Sequence, residues 1–311
     1  MGVVGTFLTT SSFGARSSTS DSVSGSTGGK TDEKPQQVTP KPVQQTETET
    51  TEAETEKPPN VLFVINTHER NYDSRVKDIR ETFLPRIREK PSTDLIFIGS
   101  QMTDGSPDVY QSTCPMGYWE DSCKRADMMT ITSGVLRRPD MEKFDWIVFA
   151  DDDAFLLPDN VQRVIMKGME QEKNLTAVFG INGCAHKQCG GICGGGGYYM
   201  NRATLFEIVN GGNKTQYPSI RDETQHYDTQ CGRCGDLTLA RSIQDIHGIP
   251  IKRYPAEGIY VWDIKDGEEG IKNTLKSEDP LPWFYHYPAR NKFRQFQEWA
   301  DQFGSNKKFK E

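Results

Sequence analysis

Three short apolar runs, separated by segments with helical spacing, most constrain the fold of this chain. The runs cover residues 61–66, 94–99 and 144–150 and are rich in β-branched and aromatic residues. Runs of this length are typical of strands buried on both faces of a parallel sheet. Residues 74–88 and 122–138 carry apolar side chains three and four positions apart, which predicts amphipathic helices. Strand and helix in alternation predict an α/β fold with a mostly parallel, twisted sheet flanked by helices.

Less regular sequence patterns predict further helices, strands and loops. Ser74 is the expected cap of the first helix, and residues 102–119 predict a loop because they are rich in Gly, Pro and Ser. Pro158 followed by Asp159-Asn160 predicts the start of a helix. A short strand is predicted over residues 176–180, an aromatic strand-like run over 283–288, and helices over 203–210, 235–246 and 291–303.

The beginning of the chain differs in composition from the rest of its 311 residues. Residues 11–56 are rich in Ser, Thr, Glu and Pro, and such a segment cannot bury enough apolar surface to offset its ordering entropy. We therefore predict a disordered stalk over residues 1–59, one folded domain over 60–303 and a basic tail over 304–311.

The charge and the hydropathy of the chain exclude some classes of partner. A net charge of -7 argues against nucleic acid as the principal partner. No apolar stretch approaches the ~20 residues that a membrane helix needs. We expect membrane attachment only through an anchor absent from this chain.

Seven cysteines leave two interpretations open. Five of them cluster around two glycine-rich loops, where Cys231-Gly-Arg-Cys234 with Cys189 or Cys193 could form a zinc ligand set. Disulfides are favoured, because the other spacings do not fit a zinc ribbon and because Asn174-Leu-Thr176 and Asn213-Lys-Thr215 are glycosylation acceptors of an oxidising compartment. The odd count leaves one thiol over.

Three consecutive carboxylates follow the third apolar run, at Asp151, Asp152 and Asp153. Carboxylates this close in a low-dielectric site stay ionised only if a cation lies among them. Ligand sites of open α/β sheets lie at the carboxyl ends of strands, and carboxylate oxygens suit hard divalent ions that bind phosphates. The triplet therefore predicts a metal–phosphate site. The alternative is a solvated acidic turn.

Three other features allow both a functional and a structural interpretation. The glycine run of residues 190–197 lets the backbone approach a ligand closely, or is a flexible linker. Asp236 lies at the start of a predicted helix, where an N-cap is the default role. His286 lies in the aromatic run, where a single histidine is more often a packed core residue.

The order of these motifs resembles the Fringe and core-1 β-1,3-galactosyltransferase group of inverting, UDP-sugar-dependent glycosyltransferases. The resemblance runs over residues 61–293. Six pieces in the family's order carry it: residues 64–68 with 74–75 and 80–83, then 123–126, 146–155, 194–198, 235–239 and 284–286. Three departures leave the sugar and the acceptor open: Gly196 replaces an alanine, Gly235 stands where an acidic residue is common, and the Gly-Gly-Ile-Cys region of residues 190–193 is unusual.

The resemblance implies a single GT-A-like domain with disulfide-stabilised loops. It also implies a role for each matched residue. Asp236 would be the general base, and Asp153 with His286 would hold Mn²⁺. The UDP-sugar would be bound by Thr67, Arg75, Lys124, Asp151, Asp152, Gly195 and Gly196.

The function expected from these residues is an inverting β-1,3-glycosyltransferase that moves galactose or N-acetylglucosamine from a UDP-sugar to a protein-linked O-glycan. The resemblance implies a type II membrane protein of the Golgi lumen, with a homodimer among the oligomeric states left open. Three alternatives remain: an inactive relative that binds nucleotide or glycan, a disulfide- or zinc-stabilised interaction protein, and a retaining hydrolase with two carboxylates ~5 Å apart.

Overall fold

The computed structural model describes residues 57–99, 105–114, 121–171, 175–180, 182–186, 188–192, 195, 197–253, 267–276, 284–286 and 292–303. These residues belong to one compact unit, Thr55–Glu311. Nearly all of the predicted stalk and the whole of the predicted tail lie outside the described residues. None of the described helices combines the length and the apolar composition that a membrane span requires.

The strands of the described residues fall into one large and two small sheets. In chain order they are β1 (Val61–Asn66), β2 (Thr93–Gly99), β3 (Val109–Gln111), β4 (Trp146–Asp151), β5 (Ala154–Leu156), β6 (Val178–Gly180), β7 (Asn182–His186), β8 (Cys189–Ile192), β9 (Tyr198–Asn201), β10 (Ile251–Arg253) and β11 (Phe284–His286). The large sheet has the order β10-β6-β9-β4-β1-β2-β3, and β11-β5 and β7-β8 are the two small sheets.

The helices of the described residues also follow the chain order. They are α1 (Lys77–Glu81), α2 (Phe83–Arg88), α3 (Asp121–Val135), α4 (Pro158–Gln171), α5 (Arg202–Asn210), α6 (Ile220–Asp228), α7 (Gly235–Asp245), α8 (Gly267–Lys276) and α9 (Phe293–Phe303). With the sheet, they confirm the predicted α/β class and its flanking helices.

The first apolar run forms the middle of the sheet. β1 pairs in parallel with β2 on one side and with β4 on the other. Residues 61–65 are fully buried, and alternate side chains contribute to two separate hydrophobic clusters, one on each face of the sheet. A strand covered on both faces needs apolar residues at every position, which explains the unbroken run.

One central strand runs against the others. β9 is antiparallel to both of its neighbours, β4 and β6, while the remaining pairs of the large sheet are parallel. Its residues Tyr198, Tyr199 and Met200 are buried. The mostly parallel sheet is therefore confirmed, with a reversal that a fully buried run does not reveal, because burial on both faces looks the same in either direction.

The helix predicted over residues 74–88 is divided. Residues 72–76 form a π-helical turn, so Ser74 lies inside a helical segment and is not its cap. α1 ends at Glu81 and α2 begins at Phe83, with Thr82 between them at φ −113° and ψ −92°. Pro85 explains the break, because its ring would clash with the carbonyl four residues earlier and it has no N–H to donate.

Other elements also differ from the predictions. The short strand β3 lies inside the segment predicted as a loop, and it extends the sheet beyond β2. α6 and α8 were not predicted, because both are polar over most of their length. α6 begins with a capping box in which Ser219 and Asp222 bond each other's backbone N–H groups.

Disulfides connect helix α3 and strand β8 to neighbouring segments of the chain. Cys114 is bonded to Cys123, and Cys189 to Cys231, while Cys234 is a free thiol. The zinc alternative is excluded for Cys189 and Cys231, because their sulfurs are bonded to each other. In the described ranges, the group of potential metal ligands lying close together is Cys114, Cys123 and Asp127, and its two sulfurs also form a disulfide.

Candidate active site

The carboxyl ends of β1 and β4 meet at one edge of the sheet. Asn66 at the end of β1 lies opposite Asp151 at the end of β4 in the parallel register. The next residues also meet: the backbone N–H of Asp152 donates to the carbonyl of Asn66 at 3.0 Å, and the Thr67 hydroxyl donates to the Asp152 carboxylate at 2.7 Å. We call Asp151, Asp152 and Asp153 the acidic edge.

Asp152 is the most buried member of the acidic edge and is 4% exposed. Its carboxylate accepts hydrogen bonds of 2.7 Å each from Thr67 Oγ1, Asn71 Nδ2 and Arg75 Nη1. Burial raises the pKa of Asp152, while these three donors oppose the rise. Thr67 and Arg75, both predicted donor-site residues, therefore lie in direct contact with the triplet.

Asp151 is held by a guanidinium from α3. Arg125 donates from Nη1 and Nη2 to the two oxygens of Asp151 at 2.8 and 2.9 Å, and Asn66 Nδ2 donates at 3.1 Å. Burial alone would lower the pKa of Arg125, but the charges of Asp151, Asp236 and Asp121 hold that pKa well above its ordinary value. Arg125 is thus a permanent cation inside the protein.

Asp153 lies between Arg75 and the small β5–β11 sheet. Its Oδ2 is 3.4 Å from Arg75 Nη1, and its side chain is 14% exposed. β5 begins directly after it, and β11 pairs antiparallel with β5 so that the backbone of His286 lies opposite Ala154. The predicted metal ligands, 133 positions apart in the sequence, therefore have neighbouring backbones; the His286 side chain lies outside the described parts.

The acidic edge borders a cationic pocket of about 420 Å³. Arg70, Asn71, Ser74 and Arg75 line this pocket. Lys124 is nearby and 8% exposed; burial lowers its pKa first, and the charges of Arg125 and Arg70 lower it further, against an opposing effect of Asp121. An anionic ligand here would restore the electrostatic stabilisation that the buried ammonium lacks.

Asp236 reaches the acidic edge through Arg125. It is the second residue of α7, whose N-cap is Cys234, so the N-cap interpretation of Asp236 is wrong. Its Oδ1 is 2.9 Å from Arg125 Nε, and its side chain is 17% exposed. Asp121 Oδ1 lies 3.5 Å from the same Nε. One guanidinium therefore joins three carboxylates from α3, β4 and α7.

These contacts correct the electrostatic premise of the metal prediction. We expected the triplet to stay ionised only with a metal among its carboxylates. Instead, Arg125 neutralises charge at Asp151, and Arg75 does so at Asp152 and Asp153. A carboxylate and an imidazole are still donors that suit Mn²⁺, so the chemistry of Asp153 and His286 fits a metal ion.

The glycine turn of residues 194–198 is described only in part. Gly195 lies in a described position and Gly196 outside the described residues, so a donor-binding role of this turn stays a prediction.

Three residues of the site were not predicted from the sequence: Arg125, Asn71 and Asp121. A signal existed for Arg125, because it lies four residues before buried Met129 on α3, and a charge on a buried stripe requires a carboxylate partner.

Solved structures similar to this chain are glycosyltransferases. One is involved in the glycosylation of the major capsid of PBCV-1 (9% identity, 78% of this chain and 100% of that chain covered, TM-score 0.42). Another is the galactosyltransferase LgtC in complex with donor and acceptor sugar analogues (10% identity, 80% and 98%, TM-score 0.41). A third is a Drosophila β-1,4-galactosyltransferase 7 mutant in complex with manganese, UDP-Gal and xylobiose (12% identity, 76% and 73%, TM-score 0.33).

The sequence comparisons give no closer relative. No protein-family model matches the chain, and no curated protein matches its sequence. At TM-scores below 0.5, the structural likenesses assign no role to any residue. The roles proposed below therefore depend on the contacts of this chain's own side chains.

Proposed function

We propose that this chain is an inverting β-1,3-glycosyltransferase of the Fringe and core-1 type. It transfers galactose or N-acetylglucosamine from a UDP-sugar to a hydroxyl of a protein-linked O-glycan. The observation that carries the proposal is the acidic edge itself: three consecutive carboxylates at the carboxyl end of β4, beside a cationic pocket, with a fourth carboxylate joined to them by Arg125.

The pocket and the acidic edge supply complementary partners for a nucleotide sugar. The cations Arg70, Arg75 and Lys124 suit the two phosphates, with Arg75 and Thr67 lining the nucleotide side. Asp151 and Asp152 suit the hydroxyls of the ribose and of the donor sugar, because ionised carboxylates accept hydrogen bonds. Their own partners hold both carboxylates in place before a substrate binds.

Asp153 and His286 would hold Mn²⁺, and they do so only while the imidazole is neutral and one of its nitrogens is free of a proton. When bound, the ion would neutralise the negative charge that develops on the departing diphosphate. Arg75, 3.4 Å from Asp153, would add a second positive charge at the same place.

Asp236 would act as the general base. It accepts the proton of the acceptor hydroxyl, whose oxygen attacks the anomeric carbon from the face opposite the diphosphate. The new carbon–oxygen bond forms as the bond to the diphosphate oxygen breaks, UDP leaves with the electron pair, and the anomeric configuration inverts. The ion pair with Arg125 favours the ionised form that this step needs.

One observation favours a second candidate, a protein that binds nucleotide sugar without turning it over. The Oδ1 atom of Asp236 already lies 2.9 Å from Arg125 Nε. A base whose oxygen stays occupied by a buried guanidinium accepts a proton poorly. The two candidates differ in turnover and agree in nucleotide binding.

UDP release separates the candidates. The assay uses UDP-galactose and UDP-N-acetylglucosamine with O-glycan acceptors, with and without Mn²⁺. We expect Mn²⁺-dependent release by the wild type and a ~10²–10⁴-fold lower kcat for Asp236→Ala, with UDP binding retained. Asp245→Ala is the matched control, because Asp245 is exposed at the other end of α7. UDP binding without release by the wild type would support the second candidate instead.

The compartment and domain limits belong to the same proposal. We assign residues 1–59 to a stalk, 60–303 to the catalytic domain and 304–311 to a tail, in a type II protein of the Golgi lumen. The disulfides Cys114–Cys123 and Cys189–Cys231 support an oxidising compartment, and so does the exposed glycosylation acceptor Asn213. Occupancy of Asn213 by glycan in secreted protein, read by mass spectrometry, tests this assignment.

A further inference from the structure

Asp236 is surrounded by ionisable groups from four elements. On α3, Arg125 and Asp121 lie close, with Arg125 Nε 2.9 Å from Asp236 and 3.5 Å from Asp121. Asp151 on β4 shares the Arg125 guanidinium, and the buried Tyr198 hydroxyl on β9 interacts electrostatically with this whole group. The Cys234 thiol, at the N-cap of α7, lies near Asp236 and Asp121. Arg125 is the cation common to these carboxylates.

The orientation of Arg125 is fixed from the side of β4. Its Nη1 and Nη2 atoms donate to the two carboxylate oxygens of Asp151 at 2.8 and 2.9 Å. Arg125 as a whole is only 3% exposed. A guanidinium is planar, so a two-point contact through the Nη atoms also fixes the direction of Nε. Nε makes the ion pair with Asp236, at 2.9 Å from Oδ1, a charge contact without the geometry of a hydrogen bond. Arg125 therefore fixes the position of Asp236 relative to the carboxyl end of β4.

Gly235 makes room for the second carboxylate. A β-carbon built at this position would lie 2.4 Å from Asp121 Oδ2 and 2.7 Å from the Asp121 backbone, closer than any real contact of this kind. Only glycine therefore lets Asp121 lie against the start of α7, next to Asp236. The Asp121 carboxylate places a like charge beside the base, opposite in effect to Arg125.

We propose that Arg125 is a positioning residue that holds the general base Asp236 in place relative to the acidic edge, with Asp121 as its opposing charge. This inference rests on the proposed function. Arg125 supplies two separable things: a positive charge that keeps Asp236 ionised, and a planar shape that fixes its location. Lysine at this position would keep the charge and lose the shape.

The charges predict opposite shifts in the pH dependence of turnover. Asp236 works as a base only when ionised, so kcat/KM falls as pH drops through its pKa in the free enzyme. Removal of the Arg125 charge raises that pKa and moves the acidic limb of the profile to higher pH. Removal of the Asp121 charge lowers the pKa and moves the limb to lower pH.

The experiment compares pH–rate profiles of UDP release for Arg125→Gln, Arg125→Lys and Asp121→Asn. We expect the limb to move up in Arg125→Gln, to move down in Asp121→Asn, and to stay near the wild-type position in Arg125→Lys. Both Arg125 variants should lose about 10–100-fold in kcat, because the base is no longer held in place. The KM for the donor should also rise, because Arg125 holds Asp151, but it should change less than kcat, since the pocket cations Arg70 and Arg75 are intact.

Arg221→Gln is the matched control. Arg221 also pairs with an aspartate of α3, Asp127, but lies outside the proposed site, so its profile should match the wild type. If Arg125→Gln does not fold, Asp121→Asn still decides, because its side chain is 31% exposed and Arg125 stays in place. Unmoved limbs in a wild type that turns over would overturn this inference and leave the proposed function intact. An absence of turnover by the wild type would contradict both this inference and the proposed function.

Discussion

Two regions of this molecule bury carboxylates in different ways. At the acidic edge, Asp152 takes its hydrogen bonds from residues 77, 81 and 85 positions away, and a pocket lies beside it. In the second region, Glu223 on α6 is fully buried and bonds Ser242 at 3.1 Å and His247 at 2.7 Å, only 19 and 24 positions away. We call Glu223, Lys214, Ser242 and His247 the Glu223 cluster.

The difference lies in the space that each region leaves. A β-carbon at Gly212, which has φ +75°, would lie 2.7 Å from Glu223 Oε1 and 2.9 Å from the His247 ring, so the Glu223 cluster is closed by close packing. The acidic edge keeps a pocket of about 420 Å³ next to its carboxylates. Buried charge is thus a sign of a binding site only where room for a ligand remains beside it; elsewhere it joins secondary-structure elements, here α6 and α7.

The largest predicted effect concerns stability. Glu223→Ala leaves Ser242, His247 and Lys214 without their shared partner inside the protein, so the free energy of unfolding should fall by about 3–5 kcal/mol. Denaturant unfolding with the exposed Glu207→Ala as control measures this, and the control should stay within ~0.5 kcal/mol of the wild type. UDP affinity of the folded fraction should be unchanged. A Glu223→Ala variant that keeps the wild-type stability but has lost UDP binding would show that the Glu223 cluster serves binding and not stability.

A smaller effect, and one on binding, is predicted for the acidic edge. Asp153→Ala removes a proposed metal ligand, so the Mn²⁺-dependent affinity for UDP should fall at least ~100-fold, beyond the 10–100-fold typical of groups that only support a ligand. Isothermal titration of UDP, with and without Mn²⁺, measures the loss. Asp245→Ala serves as control. If Asp153→Ala bound UDP as tightly as the wild type, Asp153 would have no part in the metal site.

The smallest effect separates shape from charge in the pocket. Arg75 donates from Nη1 to Asp152 and lies 3.4 Å from Asp153, a double contact that the single ammonium of lysine does not reproduce. Arg75→Lys should therefore weaken UDP binding about 10-fold, with little change in stability because Arg75 is partly exposed. Arg88→Lys, on an exposed ion pair with Asp108, is the control. Equal UDP affinities of the two variants would contradict the role of Arg75.

Much of the fold was predictable because continuous runs of apolar residues indicate strands that are buried on both faces. β1 has the predicted bounds, 61–66, and β2 begins one residue early. Three features were not predicted, two of them for physical reasons. The direction of β9 leaves no trace in a run that is buried on both faces. Pro85 was visible inside the predicted helix of residues 74–88, but its effect on Thr82 was not inferred. The short strand β3 lies in polar, glycine-rich surroundings.

The site was predictable in part. Apolar runs located the acidic edge at a strand end, and the motif order pointed to Thr67, Arg75, Lys124 and Asp236. Arg125 and Asp121 were missed. The helical spacing places Arg125 on a buried stripe of α3, but its partners on β4 and α7 come from long-range contacts that no local pattern encodes. Gly235 appeared only as a departure from the family pattern. In the structure it is the position that admits Asp121 beside Asp236.

Anomalous diffraction from crystals grown with UDP and Mn²⁺ tests the central claim most directly. The account predicts one strong manganese peak in contact with a carboxylate oxygen of Asp153 and a ring nitrogen of His286, with the UDP diphosphate on the same ion. A manganese peak at another place, or UDP bound away from the acidic edge, would contradict it.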